Sequence, residues 1–237
     1  MDLDAVTILD TAAAQPTPPP RLVRDGKPRY HATPHAGRVL VRDPAGVDGI
    51  CVHQTACTFG PAGDIARRHD RAHDVPIHAL AFRDGTLALP YPPSWYLFHG
   101  NGWNARSLGL EIEGRYAGVE HDDASRPAVR ADADSNDLRA TWRRTDDELD
   151  DVTIATARRG IRELVERGRA AGMPIRYVWA HRQSSASRRA DPGSAIWQHV
   201  VLEYAVAVLG LETQIDVTLG DGARIPREWD PAASAKY

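Results

Sequence analysis

The sequence predicts an α/β fold: a single domain with a central mixed β-sheet flanked by α-helices. Two observations support this class. Short apolar segments with the composition of buried strands alternate with longer segments of helical periodicity. The chain of 237 residues, 42% of them hydrophobic, is long enough to enclose one complete core.

Composition along the chain predicts three parts. Residues 1–46 are rich in Pro and Arg, with PTPPP at 16–20, and are expected to form an extended arm. Residues 47–212 are expected to form the domain, interrupted by an Asp-rich, aperiodic surface insertion at about 115–145. Residues 213–237 are too few for a domain and are interpreted as a tail that packs on the body or binds a ligand.

Four segments have the length and composition of short buried strands. They are GICVH at 49–53, IHALAF at 77–82, TLALP at 86–90 and YVWAH at 177–181. Asp84-Gly85 separates the second from the third and is a strong signal for a hairpin turn. His53 and His181 therefore each stand at the end of a predicted strand.

A fifth strand is predicted from the strict alternation of SLGLEIEG at 107–114. Side chains alternate between the two faces of a strand, so Leu108 and Leu110 share one face. Gly109, Glu111 and Glu113 share the other. Two carboxylates are thus expected on the same face of the sheet.

Two helices are predicted on either side of the YVWAH strand. Residues 146–171 carry apolar side chains at helical spacing and end at Gly172, which predicts a long amphipathic helix that covers the sheet. Residues 194–210, which follow Asp191-Pro192-Gly193, are nearly all apolar and predict a buried helix.

The charge and the chain start limit the classes of partner. A formal net charge of −3 has no basic excess, which argues against nucleic acid or an anionic membrane as partner. A long apolar run and a signal peptide are both lacking, so we expect a protein that does not insert into membranes and is cytoplasmic as synthesised. A monomer is expected as well. The two cysteines, Cys51 and Cys57, are expected to be reduced.

Three residues have the chemistry and placement of a hydrolytic metal site. Catalytic zinc takes three protein ligands and keeps one position open, and His with a carboxylate is a common set. His53 and His181 end strands, and Asp191 lies ten residues beyond His181. Each is weak evidence alone, because a single His is more often packed or exposed and DPG is an ordinary start of a helix.

Four motifs occur together and in a fixed order: GICVHQTA, VPIHALAFRDGTL, FHGNGWNARSLGLEIEG and AHRQSSASRRADPGSAIW. In these motifs the sequence resembles the type 2 N-acetylmuramoyl-L-alanine amidases. That family includes bacterial cell-wall recycling amidases, phage lysins and the animal peptidoglycan recognition proteins. The resemblance covers residues 47 to 210.

The resemblance implies one Zn²⁺ per chain, held by His53, His181 and Asp191 at one edge of the sheet. Members that only recognise peptidoglycan typically lose a ligand, so the complete set implies an enzyme. The catalytic carboxylate of the family matches Glu111, which is expected to act as general base. Glu113 on the same face is the weaker alternative.

Arg189 is a departure from the pattern, because bacterial cytoplasmic members generally carry Lys at this position. A guanidinium can stabilise an oxyanion but does not serve as a proton donor. We therefore expect Arg189 to act electrostatically. Arg188 is the adjacent alternative, and a solvated basic pair without a catalytic role is the other.

The resemblance also implies which residues line the substrate groove. It places His78 and His99 there. The neighbouring Asn101 and Asn104 are expected to join His99 in polar contacts, and Trp95 and Tyr96 to offer a surface for saccharide stacking. A buried structural role is the alternative for His78. Cys51 lies on the same strand face as His53 but is interpreted as a packed thiol rather than a ligand.

The resulting hypothesis is a zinc-dependent N-acetylmuramoyl-L-alanine amidase that hydrolyses the amide between the lactyl group and L-alanine in peptidoglycan or muropeptides. A lytic, endolysin-like role is favoured over recycling, with delivery to the wall by lysis or by a non-classical export route. The alternatives are a peptidoglycan-binding module without catalysis and a zinc amidohydrolase for another acylated peptide.

Overall fold

The computed structural model describes residues 2–14, 21–24, 26–32, 40–59, 64–116, 140–142 and 146–234. The PTPPP stretch and almost all of the predicted insertion at 115–145 lie outside these ranges.

The described strands form one large sheet and two small ones. In chain order they are β1 (Thr7–Asp10), β2 (Val23–Arg24), β3 (Lys27–Pro28), β4 (Gly49–Gln54), β5 (Cys57–Phe59), β6 (Ala79–Ala81), β7 (Thr86–Leu89), β8 (Ser107–Ile112), β9 (Ala140–Trp142), β10 (Tyr177–Ala180) and β11 (Glu212–Thr213). Seven of them build the central sheet in the order β1-β7-β6-β8-β4-β10-β11, while β2 pairs with β3 and β5 with β9.

The central sheet is mixed, as predicted. All neighbours run parallel except β6 and β7, which form the hairpin expected at Asp84-Gly85. Gly85 adopts a φ of 87°, a conformation that L side chains rarely take. The parallel strands β8, β4 and β10 at the centre therefore end at the same edge of the sheet.

The described α-helices are α1 (Ile65–Asp70), α2 (Asp151–Ala170), α3 (Ser194–Ile196) and α4 (Pro231–Ser234). The predicted apolar helix at 194–210 is present as α3 followed directly by a π-helix, Trp197–Val206. Among the described helices, none combines the length and the apolar character that crossing a membrane requires.

Helix α2 confirms the predicted amphipathic helix but starts later than the periodicity suggested. The Asp150 carboxylate accepts a hydrogen bond from the Thr153 amide at 2.7 Å, so Asp150 is the N-cap and the helix begins at Asp151. Asp147, before the cap, instead pairs with Arg83 at 2.9 Å. Acidic residues ahead of a helix look like its first turn in sequence, which explains the shift.

The two faces of the central sheet are covered differently. Alternate side chains such as Ile50, Val52 and Leu110 form the main core with α2 and the π-helix. The opposite face carries Cys51 and Trp179, which pack with Trp103 from the loop before β8. The face opposite α2 is therefore the one on which His53 and Glu111 lie.

The arm is more closely integrated than predicted. Strand β1 is an edge strand of the central sheet and pairs with β7. Leu22 and Tyr30 are buried in a separate apolar cluster, so the fold does not begin at Val47. A four-residue strand has too short an apolar pattern to be recognised before its partner is known.

The C-terminal residues also belong to the body. Ile215, Ile225 and Trp229 are part of the main core. The Leu219 amide donates to the carbonyl of Gln183 at 2.8 Å. A Cβ added at Gly222 would lie 2.0 Å from that same carbonyl oxygen, so only glycine fits there. The segment interpreted as a tail thus supports the loop that follows β10.

Candidate metal centre

The candidate site lies where β4, β8 and β10 end. His53 is the penultimate residue of β4, and the pairing register sets it beside Glu111 of β8. His181 immediately follows β10. Because these strands are parallel and adjacent, their carboxyl ends meet at one sheet edge, a usual location for ligand sites in α/β folds.

Three potential ligand atoms converge at this edge. The Nδ1 atoms of His53 and His181 are 3.0 Å apart. The Asp191 Oδ2 atom lies 2.9 Å from His181 Nδ1 and 4.0 Å from His53 Nδ1. All three side chains are buried, with residue exposures of 1%, 6% and 5%.

The Asp191 carboxylate is held in one orientation by the end of β4. Its Oδ1 atom accepts a hydrogen bond from the backbone amide of Gln54 at 2.8 Å. The Gln54 side chain binds the carbonyl of Ala190 and accepts from the amide of Tyr116. One carboxylate oxygen is therefore occupied, and Oδ2 is the one that faces the histidines.

This donor set fits zinc. Donor atoms about 2.0–2.2 Å from a tetrahedral zinc ion lie about 3.3 Å from one another, and the observed separations of 2.9–4.0 Å bracket that value. Two imidazoles and one carboxylate are also a ligand set of catalytic zinc, which keeps a fourth position for water or substrate.

A second group of donors adjoins the first, formed by Cys51, His53 and His99. It uses the other ring nitrogen of His53, Nε2, which lies 3.2 Å from His99 Nδ1. Cys51 is fully buried, and burial raises the pKa of its thiol well above the ordinary value. A neutral thiol is a packing group, in agreement with its contacts to Trp103 and Trp179.

Glu111 and Glu113 leave the same strand face into different surroundings. Burial raises the pKa of Glu111 well above its ordinary value, and the charge of Asp191 raises it further. Glu113 is fully buried and accepts from the Phe59 amide at 2.8 Å and from Arg68 at 2.5 Å. Its oxygens are thus committed to holding neighbouring segments, which gives Glu113 a structural role.

The two candidate cations of the site, Arg188 and Arg189, are both exposed. The charge of Arg188 opposes the rise in the pKa of Glu111 and contributes to lowering the pKa of His53, below the larger effect of burial. Of the two adjacent arginines, Arg188 is the one whose charge affects these two pKa values. Its carbonyl also accepts the amide of Asp191 at 2.9 Å, which ties it to the ligand loop.

The comparison with protein families agrees with this geometry. Residues 43–194, more than half of the chain, match the model of a family described as N-acetylmuramoyl-L-alanine amidase. The chain belongs to this family. Its reaction is therefore the hydrolysis of an amide in peptidoglycan. The enzymes of this family generally depend on zinc.

Solved structures with similarity to this amidase were also found. The endolysin amidase LysCS from Clostridium intestinale URNW is 16% identical, with 76% of this chain and 91% of that chain covered and a TM-score of 0.41. The Ph2119 endolysin from the Thermus scotoductus MAT2119 bacteriophage is 15% identical, with coverages of 78% and 91% and a TM-score of 0.38. A search of curated protein sequences found no significant match.

His78 is closed off from solvent in this amidase. It is 1% exposed, its Nδ1 atom accepts from the Gly109 amide at 3.0 Å, and its Nε2 atom lies 3.1 Å from the Trp95 carbonyl. Both ring nitrogens are used inside the protein. This environment matches the structural alternative and leaves no ring nitrogen for the predicted substrate contact.

His99, Asn101 and Asn104 are gathered at the site, but their polar atoms face the protein. His99 contacts His53, and Asn101 Nδ2 lies 3.3 Å from His181 Nε2. The side-chain oxygen of Asn104 accepts the amide of Gly100 at 2.6 Å. In this structure the three side chains contact the two histidines and the loop, Asn101 remains exposed, and the predicted contacts with substrate stay predictions.

The aromatic surface of the amidase is formed by Tyr96 and Phe98, and the predicted Trp95 is not part of it. Trp95 is 8% exposed and stacks on Tyr91 at 5.4 Å, so it belongs to a core cluster. Phe98 is 36% exposed and packs edge to face with Tyr96 at 6.0 Å. The segment alternates, but it forms only isolated bridges, so its phase could not be read from the sequence.

The sequence analysis missed two supporting residues, and only the first of them carried a signal. Gly109 leaves space for a histidine, because a Cβ there would lie 2.8 Å from the ring of His99. A glycine inside a strand does signal close approach of another group. Arg42 of the arm is buried and donates to the carbonyls of Asn104 and Ser107 at 2.9 and 2.8 Å, which nothing in its local sequence indicates.

Proposed function

We propose that this amidase holds one Zn²⁺ through His53, His181 and Asp191 and hydrolyses the amide between the lactyl group of N-acetylmuramic acid and L-alanine. The observation that carries the proposal is the convergence of two imidazole nitrogens and one carboxylate oxygen within 4.0 Å at the edge where Glu111 lies. When bound, zinc supplies a Lewis acid that polarises a carbonyl and lowers the pKa of water.

Glu111 is the general base of this proposal. The register of β4 and β8 places it beside His53, on the face that carries the candidate ligands. Burial alone favours its protonated form, and the positive charge of a bound zinc would favour the carboxylate. That carboxylate takes a proton from the attacking water and passes it to the nitrogen of the leaving L-alanine. Glu113 is excluded from this step, because its oxygens bind Phe59 and Arg68.

Arg188 is the candidate that we favour for the electrostatic part, and the predicted Arg189 remains the alternative. Because its charge affects the pKa of both Glu111 and His53, we assign to it the stabilisation of the negative charge that develops on the scissile carbonyl oxygen. A guanidinium stays protonated throughout, so proton transfer falls to Glu111.

The substrate surface extends from the site along the segment before His99. Tyr96 and Phe98 turn outward there, and His31 of the arm packs edge to face on both rings. Aromatic side chains offer an apolar face and, in tyrosine, a polar tip for a saccharide. This extended surface supports action on the intact wall polymer, and hence a lytic role.

The direct test of the function is mass spectrometry of purified peptidoglycan after incubation with the protein. We expect stem peptides with a free L-alanine amino terminus, lost after chelation and restored by zinc. Bound but intact peptidoglycan would identify a binding module instead. Cleavage of simple acyl amino acids with no release from peptidoglycan would identify a different amidohydrolase.

The matched pair Glu111→Gln and Glu113→Gln separates chemistry from structure. We expect Glu111→Gln to bind zinc and unfold like the parent while kcat falls by about 10²–10⁴-fold, because only proton transfer is removed. Glu113→Gln should be less stable by about 1–3 kcal/mol, since Arg68 loses its buried charged partner. Activity assays, zinc content and thermal unfolding measure these effects. Full activity of Glu111→Gln would remove its role.

The adjacent pair Arg188→Gln and Arg189→Gln tests which cation matters. Arg188→Gln should lower kcat by about 10–10³-fold, the scale for loss of one oxyanion-stabilising group. Arg189→Gln should stay close to the parent, because the charge of Arg189 is not among those that affect the pKa of Glu111 or His53. Steady-state kinetics on muropeptides gives both values, and the reverse order would return the role to Arg189.

A further inference from the structure

Resting on the zinc site of the proposed function, we propose that the segment His99–Asn101 orients both zinc-binding histidines. His99 binds the ring nitrogen that His53 turns away from the metal, and Asn101 binds the corresponding nitrogen of His181. Both residues are positioning residues. The segment thereby sets the affinity of the protein for zinc.

The hydrogen bonds around His99 fix the tautomer of His53. His99 Nε2 lies 3.3 Å from the Ser107 carbonyl, which can only accept, so Nε2 carries the proton. His99 Nδ1 is then an acceptor, and His53 Nε2, at 3.2 Å, must be the donor. A neutral imidazole has one N–H, so the Nδ1 atom of His53 keeps its lone pair free for the metal.

Asn101 completes the same arrangement for His181. If Nδ1 of His181 binds zinc, its Nε2 atom carries the proton and requires an acceptor. The Asn101 amide lies 3.3 Å away, and either end of an amide can face a partner, so its oxygen meets this requirement. Asn101 holds a φ of 52°, a conformation that asparagine tolerates better than most residues.

The segment is fixed in place by bonds of its own. The Gly100 amide donates to Asn104 at 2.6 Å, and the Gly100 carbonyl accepts from the hydroxyl of Ser184 at 2.8 Å. Gly109 of β8 provides the space in which the His99 ring lies. A segment held this firmly can select one orientation of each histidine before any metal arrives.

The same contacts argue against metal binding by His99 itself. A metal between Cys51, His53 and His99 would need the His53 Nε2 atom as a ligand. If a second ion bound there while Nδ1 of His53 held zinc, that ring would have to lose both protons and bridge two ions. The hydrogen bond to His99 satisfies the ring without this cost.

The test measures zinc affinity in two matched pairs by competition with a chromophoric chelator. At position 99, asparagine presents an oxygen where histidine presents Nδ1. Leucine has nearly the same shape as asparagine but carries no polar atom. His99→Leu should bind zinc about 10–100-fold more weakly, the usual effect of losing such a partner, while His99→Asn should stay close to the parent. Asn101→Gly should lose affinity on the same scale, and Asn101→Asp should retain it.

Three controls make the result decisive. His199→Phe removes a partly exposed histidine of the π-helix and should leave zinc affinity unchanged. Thermal unfolding of the zinc-free proteins reports folding separately, and the Asn101 pair decides the matter if His99→Leu does not fold. His99→Leu combined with Asn101→Gly should bind zinc more weakly than either single variant, and the departure from multiplied losses measures the coupling between the two contacts.

The proposal is overturned if the two members of each pair bind zinc equally, because the polar atom would then be irrelevant. It is also overturned if the cobalt-substituted parent shows sulfur-to-cobalt charge transfer, since Cys51 and His99 would then be ligands. These measurements need no substrate. An inactive parent protein that shows the predicted affinities would reject the proposed function while leaving this inference standing.

Discussion

The structure depends on one constraint: two imidazoles and a carboxylate are buried together where three parallel strands end. Their donor atoms face one another at 2.9–4.0 Å, with almost no exposure to solvent. An ionised carboxylate that has left water costs several kcal/mol unless a cation and hydrogen bonds compensate it. The Gln54 amide compensates one oxygen of Asp191, and a divalent cation is the natural complement of the other.

The rest of the chain can be understood as support for that edge. The arm contributes Arg42, whose guanidinium binds the carbonyls of the loop that carries Asn104. Burial lowers the pKa of this arginine to about 10. The C-terminal residues brace the loop after His181 through Gln183, whose side chain also donates to the Gln214 and Val217 carbonyls. Parts that seemed peripheral in sequence therefore hold the ligand loops.

The sequence predicted the parts of the site that depend on order and alternation. Strand ends located His53 and His181, and period-two alternation set Glu111 on the correct face. The sequence could not assign partners to His99 and Asn101. A polar residue beside a site has the same sequence pattern whether it contacts a substrate or a metal-binding side chain. Strand β1 and the buried Trp229 were missed because each is stabilised by contacts distant in sequence.

The central claim is the identity of the zinc ligands, and anomalous scattering at the zinc edge from crystals grown with zinc tests it most directly. We predict one peak per chain, about 2.0–2.2 Å from Nδ1 of His53, Nδ1 of His181 and a carboxylate oxygen of Asp191. A peak between Cys51 and His99, or no peak at zinc concentrations that support activity, would contradict the account.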